Sequence, residues 1–124
     1  MRVLDGEQVL MRLFLGESDR WQSRPLHQAL VELFRREKLA GATVLRGVMG
    51  FGAKSHLHTA QLLRLSQDLP VVVEVVDSQA NIDRVLPEVD RMMTKGLVTL
   101  EKVRVLRYAP HSDSTPKDSE PPGT

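Results

Sequence analysis

The stretch "RGVMGFGAKSHLHTA", residues 46–60, concentrates groups able to do chemistry. Gly47, Gly50 and Gly52 fall within six residues and follow an apolar run. Backbone amides that must come close to a phosphate or a purine need residues without a Cβ. A bulge or a sharp exit from a strand needs the same. Lys54 and Ser55 can hold phosphate oxygens. His56 and His58, two apart, share a face if the chain is extended, as metal ligands do. No third ligand stands nearby, and a solvated loop or a protein contact uses the same residues. No helix follows at once, so the glycines form neither a Walker loop nor a dinucleotide-binding turn.

Two other places carry usable side chains. "GESDRW", Gly16 to Trp21, holds Glu17, Asp19, Arg20 and the chain's one tryptophan. Trp21 can stack on a purine, pack at a subunit junction or serve structure alone. The acids can cap helix amides or orient the arginine. Arg46, Arg104 and Arg107 sit in apolar runs. Their planar forks suit phosphate and carboxylate, and they also guard sheet edges. Glu74, inside a valine run, reads as a paired or rim carboxylate. No nucleophile–base pair or carboxylate dyad stands at a readable spacing, so a binding protein is expected and not an enzyme.

These residues need elements to hold them. Glu7 to Leu15 reads as a first strand, and 16–24 as a polar loop. Pro25 suits a helix's first turn. Leu26, Ala29, Leu30, Leu33 and Phe34 then make one apolar helical face, and Gly41 supplies the stop. Ala42 to Met49 is a second strand. Leu62 to Leu65 is either a short helical turn or an extended arm. Pro70 introduces "VVVEVV", a third strand suited to burial on both faces. Asp77 or Ser78 caps a second helix with apolar Ile82, Val85, Leu86, Val89 and Met93. Pro87 should kink or divide that helix, and Gly96 should close it. Val98 to Tyr108 is a fourth strand, with a slip between Leu100 and Val103 that suggests a β-bulge. Residues 109–124 hold four prolines and almost no apolar surface, and are expected to be a disordered tail behind one domain over 1–108.

The order β-α-β-β-α-β predicts an α+β, ferredoxin-like subunit: a four-stranded antiparallel sheet with two helices on one face. Its first and third strands are central. Strand three is apolar on both sides, and strand two carries Val44 and Val48 one way, Leu45 and Met49 the other. One such buried side chain is worth about 1.5–3 kcal/mol. Packing of the uncovered sheet face against other copies is therefore expected, as a homo-oligomer of closed symmetry.

Composition sets outer limits. The chain has 124 residues, no cysteine and a net charge of +1. Thiolate metal sites and disulfides are excluded. A body charge of about +3 without a basic block argues against a nucleic-acid coat. No run approaches the roughly 20 apolar residues of a membrane span, and no signal peptide precedes the first strand, so a cytoplasmic protein is expected.

"GESDRW" after strand one, "GATVLRGVMGFG" across strand two and "LPVVVEVVD" in strand three together resemble the PII-like signalling protein family, in its branch of small bacterial and archaeal proteins. The match runs over about residues 7–108. The resemblance implies a homotrimer with sheets facing inward and an adenine nucleotide (ATP, ADP or AMP) in clefts between subunits. It also implies a long loop after strand two that meets a protein partner, such as a membrane transporter or channel. Gly50, Phe51 and Gly52 match the step at the base of that loop. Nucleotide contacts would then come from Arg46, Gly47, Gly50, Phe51, Gly52, Lys54, Arg104 and Arg107. Ser55, His56 and His58 would meet a partner, and Glu17, Asp19, Arg20 and Trp21 would serve a subunit junction or the ligand. The family's Arg-Gln-Lys-Gly is here Ala53-Lys54-Ser55-His56. Its modified tyrosine has no counterpart in this loop, and "TKGLVTLEKV" replaces its Gly-Asp-Gly-Lys turn. Phosphate contacts must therefore differ, and no metal is expected. The alternative is a small metal- or ion-responsive trimer using the loop histidines.

Overall fold

The structure, a computed structural model, describes residues 4–51, 58–59 and 69–109. Among the described residues, eight strands and two helices follow in order. They are β1 (Gly6–Gly16), β2 (Arg20–Trp21), β3 (Arg24–Pro25), α1 (Leu26–Arg36), β4 (Thr43–Arg46), β5 (Met49–Gly50), β6 (His58–Thr59), β7 (Pro70–Asp77), α2 (Gln79–Met92) and β8 (Leu97–Val105). Four of the strands form one antiparallel sheet in the order β4-β7-β1-β8. This is the expected ferredoxin-like arrangement, with the first and third main strands at its centre.

Side chains alternate across a pleated strand, and the two central strands show it cleanly. Val9, Met11, Leu13 and Leu15 of β1 and Val71, Val73 and Val75 of β7 are buried in the core. Against them pack Leu26, Leu30, Leu33 and Phe34 of α1 and Ile82, Val85, Val89 and Met92 of α2. Leu10, Arg12 and Phe14 of β1 and Val72, Glu74 and Val76 of β7 alternate with these and remain only half-buried. Within one chain the valine run is thus buried on one face, and the other face is open.

The helices end differently from expectation. Pro25 stands at the N-cap of α1 and makes no side-chain cap. Gly41 is not the stop. Lys38, at φ 64°, turns the chain into the left-handed region three residues earlier. Leu39 N–H donates to Phe34 O (3.0 Å) and Lys38 N–H to Arg35 O (3.1 Å). That is a Schellman closure, and Leu39 and Phe34, the residues such a closure brings together, are both core members. In α2, Ser78 is the cap, its hydroxyl accepting from Asn81 N–H (3.1 Å). The helix is continuous through Pro87 and ends at Met93, not at Gly96. Pro87 and Asp83, whose carbonyl loses its partner, are both exposed, so water can satisfy that carbonyl. Met92 is buried at its end, and Met93 packs partly buried against the same core.

Two strand expectations are also corrected. β8 pairs with β1 in unbroken register from Gly6↔Val105 to Phe14↔Leu97, with no bulge. It ends at Val105, so Arg107 lies beyond it. The second main strand ends at Arg46 instead of Met49. Gly47 N–H still donates to Pro70 O (2.7 Å), the first residue of β7, and the β4–β7 pairing ends at Arg46↔Val71. Val48 and Met49 therefore leave the sheet. Met49 and Gly50 pair instead with Thr59 and His58 in a separate two-stranded ribbon. The expected element at Leu62–Leu65 lies outside the described residues, as does the expected tail but for Ala109.

Candidate functional site

The ribbon's base, the first β1–α1 loop and the start of β7 meet at one end of the sheet. Glu17 N–H donates to Leu69 O (2.8 Å), next to the Gly47–Pro70 bond. Gly47 and Gly50 both face the proline: a Cβ on Gly47 would lie 3.0 Å from Pro70 Cγ, and one on Gly50 3.1 Å from it. Neither glycine has a positive φ. What both positions require in this chain is room beside Pro70.

"GESDRW" folds into more than a polar loop. Asp19 closes a turn on Gly16: its Oδ2 accepts from Gly16 N–H (3.0 Å), and its own N–H donates to Gly16 O (3.1 Å). Asp19 O then accepts from Leu26 N–H (2.8 Å), which fixes the start of α1. Arg20 and Trp21 pair with Pro25 and Arg24 in a tight hairpin whose tip, Gln22 and Ser23, has φ of 52° and 69°. Arg20 Nη2 donates to Ser23 O (2.7 Å) across that tip. Trp21 packs against the core, and the Arg91 guanidinium lies 5.2 Å from its ring centroid. The indole face available to one chain is thus already covered by a cation.

Charge gathers here in opposed pairs. Arg46, on β4, bonds Glu17. Lys95, from the α2–β8 connection, sits 3.5 Å from Asp19 Oδ1. Both cations are exposed and both carboxylates are largely covered, so the loop's acids hold two exposed cations at the sheet's end. Lys95 and Pro70 were not readable as site residues. Neither has a motif, and each arrives through a contact distant in sequence. Phe51 is exposed at the ribbon's base, with Val48 and Met49 beside it.

The structure divides the expected nucleotide contacts. Arg46, Gly47, Gly50 and Phe51 lie at this end. Arg104 faces Glu7 across the ladder at the other end of β1, about 30 Å away at roughly 3.3 Å per residue. There Gly6, Glu7, Lys102, Val103 and Arg104 line one shallow cleft. Arg107 lines a second with Thr43, Glu74 and Tyr108. Gly52, Lys54, Ser55 and His56 lie outside the described residues. His58 is placed by its backbone in β6. Among the described residues no group of three His, Asp or Glu side chains is arranged to hold a metal. Nor is any described helix long and apolar enough to cross a membrane.

The described elements define an α+β, ferredoxin-like fold. A solved structure described as CPII, a nitrogen regulatory PII-like protein from Thiomonas intermedia K12 bound to ADP, AMP and bicarbonate, is similar over 86% of this chain and 92% of its own, with a TM-score of 0.59 at 14% identity. The chain itself belongs to the DUF190 family ("Uncharacterized ACR"), which matches residues 8–105. It is 36% identical to a UPF0166 protein of Aquifex aeolicus (strain VF5) over 106 residues, 86% of this chain and 98% of the relative. It is 30% identical to UPF0166 protein MJ1524 of Methanocaldococcus jannaschii over 99 residues, 79% of this chain and 91% of the relative.

Proposed function

We propose that this protein is a homotrimeric PII-like regulator, a binding protein and not an enzyme, that takes an adenine nucleotide in clefts between its subunits. One observation carries the reading. Arg46, Gly47, Gly50 and Phe51 stand together at a free sheet edge, at the root of a ribbon that leaves the sheet. They do so on a fold whose solved neighbour is described with ADP and AMP bound. Arg104 and Arg107 lie at the opposite end of the same chain. In a closed ring, unlike ends of neighbouring copies can meet. A cleft shared between copies thus reunites the two halves of the basic set that one chain keeps apart.

In this reading Arg46 exchanges its contact with Glu17 for the phosphates, and Gly52 and Lys54 continue the phosphate side. Occupancy shifts the ensemble of the 50–66 loop, where Ser55, His56 and His58 meet a protein partner. The partner's class, a transporter or channel among the candidates, follows from the family resemblance alone.

Titration calorimetry and thermal melts with ATP, ADP and AMP test this. Nucleotide at a hundred times its Kd should stabilise the fold by about 2.7 kcal/mol. Arg46→Ala should weaken binding by about tenfold or more, the scale of one charge-assisted hydrogen bond. No response to any of the three nucleotides would overturn the proposal. So would a response confined to divalent metals and lost in His56→Ala/His58→Ala, which would establish the metal-responsive alternative.

A further inference from the structure

The open face of the sheet is apolar apart from a polar row at its centre and Gln8 toward one end. Leu10, Phe14, Val72, Val76 and Val103 are half-buried there in the single chain. Between them Arg12 is paired across the ladder with Glu74. Its Nε donates to Glu74 Oε2 (2.9 Å), and its Nη1 reaches Glu101 Oε1 (3.4 Å) on β8. The guanidinium is held above its ordinary pKa, first by the Glu74 hydrogen bond. One cation serves two carboxylates in this group, and Arg107 lines the cleft beside Glu74, so cations and carboxylates on this face balance two to two. Glu101 is the looser partner, with 61% of its side chain exposed against 31% for Glu74. Around the group, β4 presents Thr43, and the segment after β8 presents Arg107 and Tyr108 in the cleft beside Glu74.

An ion group on an apolar face is poorly explained by association strength, since well-packed apolar residues would serve as well or better. It does restrict which surface can dock. Only a partner that brings a cation to the outward carboxylate, and a carboxylate to the spare guanidinium donors, avoids leaving charge uncompensated. A second copy of this chain brings both.

We propose that the Arg12–Glu74–Glu101 group is the self-recognition element of the open sheet face, keying it to further copies of the same chain in one alignment. The inference rests on the oligomeric part of the proposed function and adds what selects the partner. Each copy's Glu101 meets a neighbour's guanidinium as the faces close. Sheets lacking the group are rejected by its uncompensated charge.

The test is mass by light scattering over a dilution series of the full chain, with circular dichroism to check folding. Wild type should give one oligomeric mass. Arg12→Met leaves two unpaired carboxylates per copy. It should weaken association by tenfold or more. Arg12→Lys keeps the charge without the fork and should fall between, and it stands in if Arg12→Met fails to fold. Arg12→Met/Glu74→Val/Glu101→Thr should associate into mixed masses. A wild-type oligomer whose mass and dilution behaviour survive in Arg12→Met, or in Arg12→Lys where Arg12→Met does not fold, would overturn this inference and leave the trimer standing. A monomeric wild type would overturn both.

Discussion

Gly96 offers a measurable consequence of how the site is held. It has φ +111°, a conformation that a residue with a side chain rarely adopts. A Cβ there would lie 2.6 Å from Phe14 O and 2.8 Å from Met93 Cε. The methionine tip can move aside at little cost. The carbonyl cannot, because Phe14 is held in central strand β1 opposite Leu97, the residue after Gly96. Gly96→Ala must therefore strain its own φ, at about 1–3 kcal/mol, or shift β8 along its ladder. With the carbonyl contact added, the expected loss is about 3 kcal/mol. For a domain of roughly a hundred residues this lowers Tm by about 10–20 °C. Gly41 is the control: a Cβ there meets nothing within 4 Å, so Gly41→Ala should stay within about 0.5 kcal/mol. Melts followed by circular dichroism at one fixed protomer concentration make the comparison, since an oligomer's Tm moves with concentration. A Gly96→Ala loss under about 1 kcal/mol would refute the reasoning. Lys95 precedes this glycine, so the same change should disturb the contact with Asp19.

Gly47→Ala should cost about 1–2 kcal/mol by overpacking against Pro70. In a Pro70→Ala background the cost should fall by more than 0.5 kcal/mol, and purely additive urea-unfolding energies would exclude that contact as the cause. Asp77 is fully buried and accepts from Ala40 N–H (2.7 Å), Ser78 N–H (2.7 Å) and Asn81 Nδ2 (2.9 Å). Asp77→Ala should therefore cost about 3 kcal/mol by urea unfolding, with Asp77→Asn less damaging. The Glu88 carboxyl is held below its ordinary range by the Arg91 hydrogen bond. Its contribution should be fully present above about pH 5, where even the unfolded carboxyl is ionised. It should be lost as pH falls through the lowered folded value. The stability difference between wild type and Glu88→Gln should thus shrink on acidification, with Trp21 fluorescence as the readout because Arg91 lies over its ring.

The elements that declared themselves in the sequence are those whose burial is one-sided and local. The spacing of Leu26 to Phe34 could only be a helical face, and Ser78 before Ile82 marked the second helix. Elements bounded by distant contacts did not declare themselves. Val48 and Met49 continue the apolar character of β4, yet the strand stops where its pairing with β7 ends, at Arg46↔Val71. Edge strand β8 exposes apolar side chains on both faces at Leu97, Val98 and Leu100. Its alternation therefore carries little information, and a slip in it does not signify a bulge. The site followed the same division. The glycines were legible as places of close backbone approach, and Glu74 as a paired carboxylate. Arg12, 62 residues from Glu74, was not legible as the partner. Nor could any local pattern show that Arg46 and Arg104 would stand at opposite ends of the sheet.

After β8 the chain does not trail away from the edge it has just formed. Tyr108 crosses back, and its hydroxyl donates to Ala40 O (2.9 Å), in the connection between α1 and β4. The last strand is thereby buckled to the far margin of the sheet. Tension applied at the C-terminal end would load this tyrosine before it could unzip β8 from β1. Tyr108→Phe should consequently lower the first rupture force in a pulling experiment while leaving the later peeling of the strand unchanged.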